Sequence, residues 1–351
     1  MKTFEQFERQ ISSVPLTSSW YLADLGESLG KQHLFTDQSP QKLNVLRENA
    51  IIESSISSNR IEGVEIDNKR IGTVVFGNAV LHDRSEEEVR GYRDALQLIH
   101  EKGKDRRLTE GLIKELHYLS RAKSGDAGQY KTQQNDIIEK YPDGRSRVRF
   151  SPVLPEETSG YIIKLVEMWH RNLDEKWVHP LIALAAFNLD FLCIHPFRDG
   201  NGRVSRLLFL LLSYQLGYEV GRYISFEKLI EENKERYYET LYLSSVGWHD
   251  GKHDYWHLIN YSLHILKDSY KIFEDRASRV ISPRGEKTEL IEAAIASLPD
   301  EFRIADIERR VPAGVDMIRK VLRDMKNKNL IEAISTGRNA TWRKLGNNEI
   351  N

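Results

Sequence analysis

The segment His195-Pro-Phe-Arg-Asp-Gly-Asn-Gly-Arg-Val-Ser-Arg206 gathers, within twelve residues, the groups that phosphate chemistry requires. Gly200 and Gly202 stand at i and i+2, just ahead of an apolar run (Val204, Leu207, Leu208, Leu210, Leu211) that reads as a helix. Without Cβ atoms the backbone N–H groups there can crowd around an anion, and a helix N-terminus adds partial positive charge. Arg203 and Arg206 lie three apart, so both guanidinium groups can face one anion. Asp199 beside a polyphosphate is repelled unless it holds a bridging divalent cation, for which Mg²⁺ is the usual candidate. His195 supplies an imidazole able to take a proton near neutral pH. A bare Gly-x-Gly is an ordinary helix cap. The whole set points instead to phosphoryl or nucleotidyl transfer.

The surrounding pattern is mainly helical. Apolar residues at helical spacing mark Gln41–Ser58, Glu86–Lys102, a helix capped by Thr109, Glu156–Leu173, Arg203–Leu216, Phe226–Ser245 and Tyr255–Arg279. Pro180–Ile194 is apolar nearly all round, which predicts a central, buried helix leading into His195. Ser85 and three following glutamates suit the N-terminus of the helix they open. One stretch breaks this rhythm. Asp136–Tyr141 and Ser146–Phe150 are β-like runs around Pro142-Asp-Gly-Arg, a hairpin of the kind that often touches ligands. Ser282-Pro-Arg-Gly-Glu-Lys reads as a linker. Beyond it lie helical patterns at Thr288–Ser297, Ile304–Val311 and Val315–Lys328, then strand-like runs at Leu330–Ser335 and Ala340–Lys344. That order is the order of a winged helix-turn-helix.

The chain has 351 residues, 40% hydrophobic and 29% charged, with a net charge of -1. These values describe a globular protein of one or two domains, with no overall attraction to nucleic acid or acidic membranes. No apolar stretch reaches the ~20 residues of a membrane span. The first residues, Met1-Lys-Thr-Phe-Glu, lack the apolar run of a secretory signal, so a cytoplasmic location is expected. The single cysteine, Cys193, excludes an internal disulfide and sits among Phe191, Leu192 and Ile194 as a buried structural thiol.

Residues 195–206 resemble the signature of the Fic family, His-x-Phe-x-(Asp/Glu)-Gly-Asn-Gly-Arg-x-x-Arg, at every fixed position. The apolar helix before it, the upstream hairpin and Tyr237-Tyr238-x-x-Leu241 downstream are also similar to that family's core. The resemblance implies a mainly α Fic-type core with a hairpin flap over residues 106–281. A helical region (1–105) carrying an inhibitory helix would precede it, and a winged-helix domain (282–351) would follow. It also implies a protein adenylyltransferase, moving AMP from ATP to a hydroxyl of a target protein. In that scheme His195 is the base and Asp199 holds Mg²⁺. Gly200, Asn201 and Gly202 bind phosphate oxygens, Arg203 and Arg206 neutralise the outer phosphates, and Phe197 anchors the loop. The lysine that kinase-like relatives carry in the glycine turn is absent.

Ser58-Asn-Arg-Ile-Glu62-Gly63 resembles the family's inhibitory motif, (Ser/Thr)-x-x-x-Glu-(Gly/Asn). The resemblance has Glu62 pair with Arg206 where the γ-phosphate would lie. A carboxylate and a phosphate cannot share one arginine, so its removal frees the site; the same carboxylate could orient a water and remove AMP. Tyr237 and Tyr238 are core residues by pattern and adenine neighbours by resemblance. Tyr130-Lys131 is a further family-like piece to which the sequence assigns no role. His249, His253 and His257 recur every four residues as metal ligands would, but Gly251 interrupts their helix and the structural reading is preferred. Arg319, Lys320, Arg323, Lys326 and Lys328 crowd the would-be recognition helix, with Arg338 at the wing tip. That layout suits DNA, although Asp316 and Asp324 interleave and winged helices also dock proteins. A DNA-binding regulator with a nucleotide-sensing core is therefore the alternative reading, and a homodimer is a further expectation by resemblance.

Overall fold

A computed structural model describes residues 1–9, 13–36, 40–67, 70–77, 80–122, 125–140, 145–278, 288, 291–292, 294–295, 298, 300–308, 310–311, 313–335, 337 and 340–345. It is mainly helical. The helices that build the site run α1 (Lys2–Arg9), α2 (Leu16–Thr36), α3 (Pro40–Ile61), α4 (Ile71–Phe76), α5 (Arg84–Lys102) and α6 (Glu110–Ser120). After a hairpin of β1 (Ile137–Lys140) and β2 (Ser146–Phe150) come α7 (Pro155–Glu175), α8 (Pro180–Ile194), α9 (Asn201–Gln215), α10 (Phe226–Glu232), α11 (Lys234–Ser245) and α12 (Trp256–Ser278).

The all-round apolar helix is the centre, as its pattern requires. Every residue of α8 from Leu181 to Ile194 is buried, and α1, α7, α9, α11 and α12 pack around it. Prolines open α7 and α8 at a position where the missing N–H costs nothing. The cap of α5 is Asp83, whose side chain accepts from the Glu86 N–H at 2.9 Å, rather than Ser85. The helix expected over Phe226–Ser245 is two helices. Asn233, with φ -127° and ψ 40°, ends α10 and starts α11, which redirects the chain beneath the site.

β1 and β2 pair antiparallel, with Ile138 opposite Val148 and a bulge between Ile137 and Ile138. The expected turn at Pro142-Asp-Gly lies outside the described residues. So do the linker at 282–287 and Arg338.

The C-terminal module differs from a plain hairpin. Three strands, β3 (Glu301–Arg303), β4 (Ile331–Ala333) and β5 (Thr341–Lys344), form an antiparallel sheet in the order β3-β5-β4. Helices Ile304–Glu308 and Val315–Asn327 accompany it, the second burying Ile318, Val321, Leu322 and Met325. This core also takes in Val45 of α3. The opposite face of Val315–Asn327 exposes Arg319, Lys320 and Arg323, and Lys326 and Lys328 are exposed as well. Among the described residues no helix is long and apolar enough to cross a membrane.

Candidate active site

The end of α8, the loop 195–200 and the start of α9 form the floor of the site. His195 closes α8 with φ 51° and ψ 62°, left-handed values, while its N–H still bonds to Phe191 O at 2.9 Å. Its Nδ1 lies 3.3 Å from Leu192 O. A carbonyl only accepts, so Nδ1 carries the hydrogen and Nε2 keeps the lone pair. Burial, and then the charge of Lys131, lower the His195 pKa to about 4, so the imidazole is neutral across the physiological range.

The loop is held from inside. Phe197 is fully buried and stacks on His117 with ring centroids 3.7 Å apart. Asn201 Oδ1 accepts from Phe197 N–H at 2.9 Å and Asn201 Nδ2 donates to Phe197 O at 2.7 Å. Both ends of this amide are thus engaged within the loop. Gly200 caps α9 with φ +83°, and a Cβ there would crowd Arg121 at 3.0 Å and His117 at 3.4 Å.

The two arginines diverge. Arg206 donates from Nε to Ser58 Oγ at 2.9 Å, and from Nη2 to Ser58 O at 2.9 Å and to Glu62 Oε1 at 2.8 Å. Its buried Nη1 lies 3.2 Å from where a Cβ on Gly202 would stand. Glu62 follows α3 in its closing turn, its N–H bonded to Asn59 O at 3.0 Å, with Gly63 at φ +80° next. Its Oε1 comes within 2.2 Å of the same Gly202 Cβ position, so glycine there is what admits the carboxylate to the start of α9. Arg203 points elsewhere. Its Nη1 donates to Glu88 Oε2 at 2.8 Å and to Asn59 Oδ1 at 3.3 Å.

Asp199 belongs to that second network. Its Oδ2 accepts from Arg121 Nη1 at 2.7 Å, and its Oδ1 from Gly200 N–H at 2.6 Å. Arg121 Nη1 also donates to Glu88 Oε1 at 2.7 Å, as does Arg84 Nε at 3.0 Å. Burial acts to raise the Asp199 pKa, but Arg121 and Arg203 outweigh it and hold the carboxylate ionised. The side chain is 57% exposed. An exposed, ionised carboxylate with lone pairs to spare fits Mg²⁺, which takes one or two carboxylates and fills its remaining positions with water and phosphate. Among the described residues there is no group of three His, Cys, Asp or Glu that could cage a metal.

Above the floor is a cleft of about 530 Å³ whose lining includes Glu62, His195, Gly202, Arg206, Tyr237 and Tyr238. Asp199 and Arg203 are not part of that lining. Tyr237 is buried and its ring centroid lies 5.3 Å from that of Tyr238. The hairpin forms one wall. Arg149 Nη2 donates to Tyr238 O at 2.5 Å, and Phe150 stacks on His249 at 5.4 Å. Asn135 Nδ2 donates to Phe197 O and Arg198 O, each at 3.1 Å, tying the base of the hairpin to the loop.

Several of these residues escape a reading of the sequence. His117 on α6 and Arg121, the residue that caps the end of that helix, grip the loop. Gly128 N–H donates to His117 Nδ1 at 2.8 Å, so Nε2 must carry the hydrogen it gives Asp199 O at 3.0 Å. The His-x-x-x-Arg spacing was the available signal, but it is common on helices. Glu86 and Glu88 read as residues complementing a helix end. Glu86 instead accepts from Arg70 Nη2 at 2.8 Å, and Glu88 joins Arg84, Arg121 and Arg203. The three spaced histidines are apart in role: His253 bonds Thr3 and Gln6, His249 Nε2 meets Ser151 O at 2.8 Å, and His257 sits by Asp254. Cys193 is buried and free.

Residues 107–213 match the Fic/DOC family. Over 182 residues the chain is 26% identical to "Protein adenylyltransferase fic-1" of Caenorhabditis elegans, covering 50% of this chain and 32% of that one. Over 134 residues it is 28% identical to a Fido domain-containing protein of Dictyostelium discoideum, covering 38% of this chain and 85% of that one. The chain thus spans about a third of the length of the C. elegans relative. Among solved structures, a Fic family protein from Desulfovibrio desulfuricans G20 superposes with TM-score 0.61 at 20% identity, over 96% of this chain and 98% of that one. A Fic domain-containing signaling protein from Bacteroides thetaiotaomicron superposes with TM-score 0.62 at 23% identity, over 73% and 97%. At these identities the likeness is one of fold.

Proposed function

We propose, from the premise that residues 107–213 form a Fic/DOC family domain, that the protein transfers AMP from ATP to a hydroxyl side chain of a target protein and that Glu62 restrains it. The observation that carries this reading is the buried Arg206 guanidinium, whose Nη1 reaches the glycine start of α9 while its Nη2 is shared with Glu62. An anion is the natural complement of that corner. The adenylyltransferase name of the C. elegans relative agrees with it.

In the proposed reaction His195 Nε2 takes the proton of the target hydroxyl. The oxygen attacks the α-phosphorus, the bond to the pyrophosphate oxygen breaks, and the proton stays on His195 until it returns to solvent. The Gly202 N–H and the Arg206 guanidinium stabilise the phosphate charge, while Gly200, whose N–H holds Asp199, shapes the turn and Arg203 acts at longer range through the Asp199 network. Mg²⁺ held by Asp199 would draw charge from the α- and β-phosphates. Glu62, in its pairing with Arg206, stands where the outer phosphate needs to be, so the resting enzyme is slow. The same carboxylate, turned toward a water, suits removal of AMP.

Glu62→Gly should raise labelling of the protein itself or of lysate proteins by α-labelled ATP at least tenfold, and His195→Ala in that background should abolish it. Equal labelling by parent and Glu62→Gly would remove the restraint, and labelling that survives His195→Ala would remove the base. Labelled UTP run in parallel tests the donor.

The exposed basic face of Val315–Asn327 supports a second reading, a DNA-binding regulator whose core senses nucleotide. Binding to random duplex that weakens steeply with salt would favour it. No binding at low salt would dispose of it.

A further inference from the structure

Lys131 is 4% exposed, and its position is unusual for a lysine that makes no salt bridge among the described residues. Its backbone N–H donates to Pro196 O at 2.9 Å. Its ammonium turns back to Ile194 O at 3.4 Å, one of the last carbonyls of α8. The two contacts therefore bracket His195, one on the residue before it and one on the residue after. Tyr130 extends the grip, with its ring centroid 5.6 Å from that of Phe197. A cation at a helix C-terminus is favourable, because it faces carbonyls with no intrahelical partner. Here that cation also acts electrostatically on the imidazole that ends the helix.

We propose that Lys131 is the positioning residue of His195: it fixes the left-handed turn in which the imidazole is presented, and it holds a buried positive charge at the helix end from which that imidazole projects. The inference rests on the transferase reading only for its purpose, since the effect on His195 exists whatever the reaction. The charged groups acting on His195 are Lys131, Glu62 and Asp199. The carboxylates favour the imidazolium, whereas burial and Lys131 oppose it. Lys131 itself is lowered to about 8 by burial, with Asp136 opposing, so it is charged throughout the range in which His195 titrates. The signs agree: withdrawing the Lys131 charge must make His195 easier to protonate.

The test uses the full chain and reads His195 directly. Carbethoxylation by diethyl pyrocarbonate consumes the neutral imidazole, and its rate at the His195 peptide, followed by mass spectrometry from pH 4 to 8, gives a titration midpoint without any turnover. In Lys131→Met the midpoint should rise toward that of an ordinary histidine. Lys131→Arg, which keeps the charge, should retain the parental midpoint. Lys131→Gln preserves a donor for Ile194 O, so it keeps the fold if the methionine variant does not, and its midpoint should rise as well. Equal midpoints in the parent and in Lys131→Gln would overturn the proposal. In the Glu62→Gly background, the acid limb of labelled AMP transfer should move to higher pH in Lys131→Gln, with KM for ATP unchanged. A raised midpoint without any AMP transfer by the parent or its Glu62→Gly variant would sink the transferase reading and leave the role of Lys131 standing.

Discussion

His195 and Glu62 line one cleft, and each is defined by what its neighbours allow. The Nδ1 contact to Leu192 O leaves Nε2 as the basic atom, and burial with the Lys131 charge puts its pKa at about 4. A base with a lowered pKa is competent above that value and lost below it. Transfer by the Glu62→Gly enzyme should therefore stay nearly level from pH 8 down to about 5 and fall as the pH drops through about 4. A limb near the usual histidine value would contradict this, and a pH–rate series with labelled ATP decides it. Residues 195–206 were legible because their chemistry is local. The spacing alone puts glycines, a carboxylate and an imidazole on one turn, and the Glu62–Arg206 pair was legible by resemblance. What spacing could not give was the separation of Arg203 from Arg206. Both lie on α9, but Glu88 and Asn59 draw one away while Ser58 and Glu62 hold the other.

At the scale of elements, α5, α6 and α9 meet around a single buried carboxylate. Glu88 receives Arg121 from the cap of α6, Arg203 from α9 and Arg84 from its own helix. Removing one partner of a buried ion pair strands the others, which costs about 3 kcal/mol or more. Glu88→Ala should lower the melting temperature by on the order of 5 °C, and Arg203→Ala should produce a smaller drop because Arg121 and Arg84 still neutralise Glu88. Thermal denaturation of the two variants gives the order, and the reverse order would refute this account of the network. Such a node is invisible in a sequence, where Glu88 is one glutamate in a run of three. The first helices escape for a related reason. Leu16, Trp20 and Leu34 of α2 are 82%, 71% and 53% exposed, so its apolar residues do not trace one stripe. The break at Asn233 is similarly hidden, since the helical period continues across it.

Among the described residues there are three apolar clusters, and α3 touches all of them. Leu43 and Ile61 lie in the large core, Ile52 and Ile56 pack with Val74 and Val75 of α4, and Val45 enters the core of the C-terminal module. The module is therefore seated on the same helix that ends in the Ser58–Glu62 turn. Val45→Asp would set a charge in the apolar cluster of the module, which is unfavourable by roughly several kcal/mol unless the module lifts away. Calorimetry should then resolve an early transition of the module ahead of the helical core, whereas one unchanged transition would mean that Val45 is not a joint. The extra strand β3 was illegible in the sequence because its three residues, Glu301–Arg303, are too few to set a period.

The left-handed backbone of His195 has a consequence for stability as well as for chemistry. A residue with a Cβ is strained there by about 1 kcal/mol or more, and glycine is not. His195→Gly should thus melt higher than His195→Ala, both being equally unable to take a proton. If it also melts above the parent, the fold carries tension at the position where its base must stand, and natural variation at 195 that discards the activity would be rewarded with a sturdier protein.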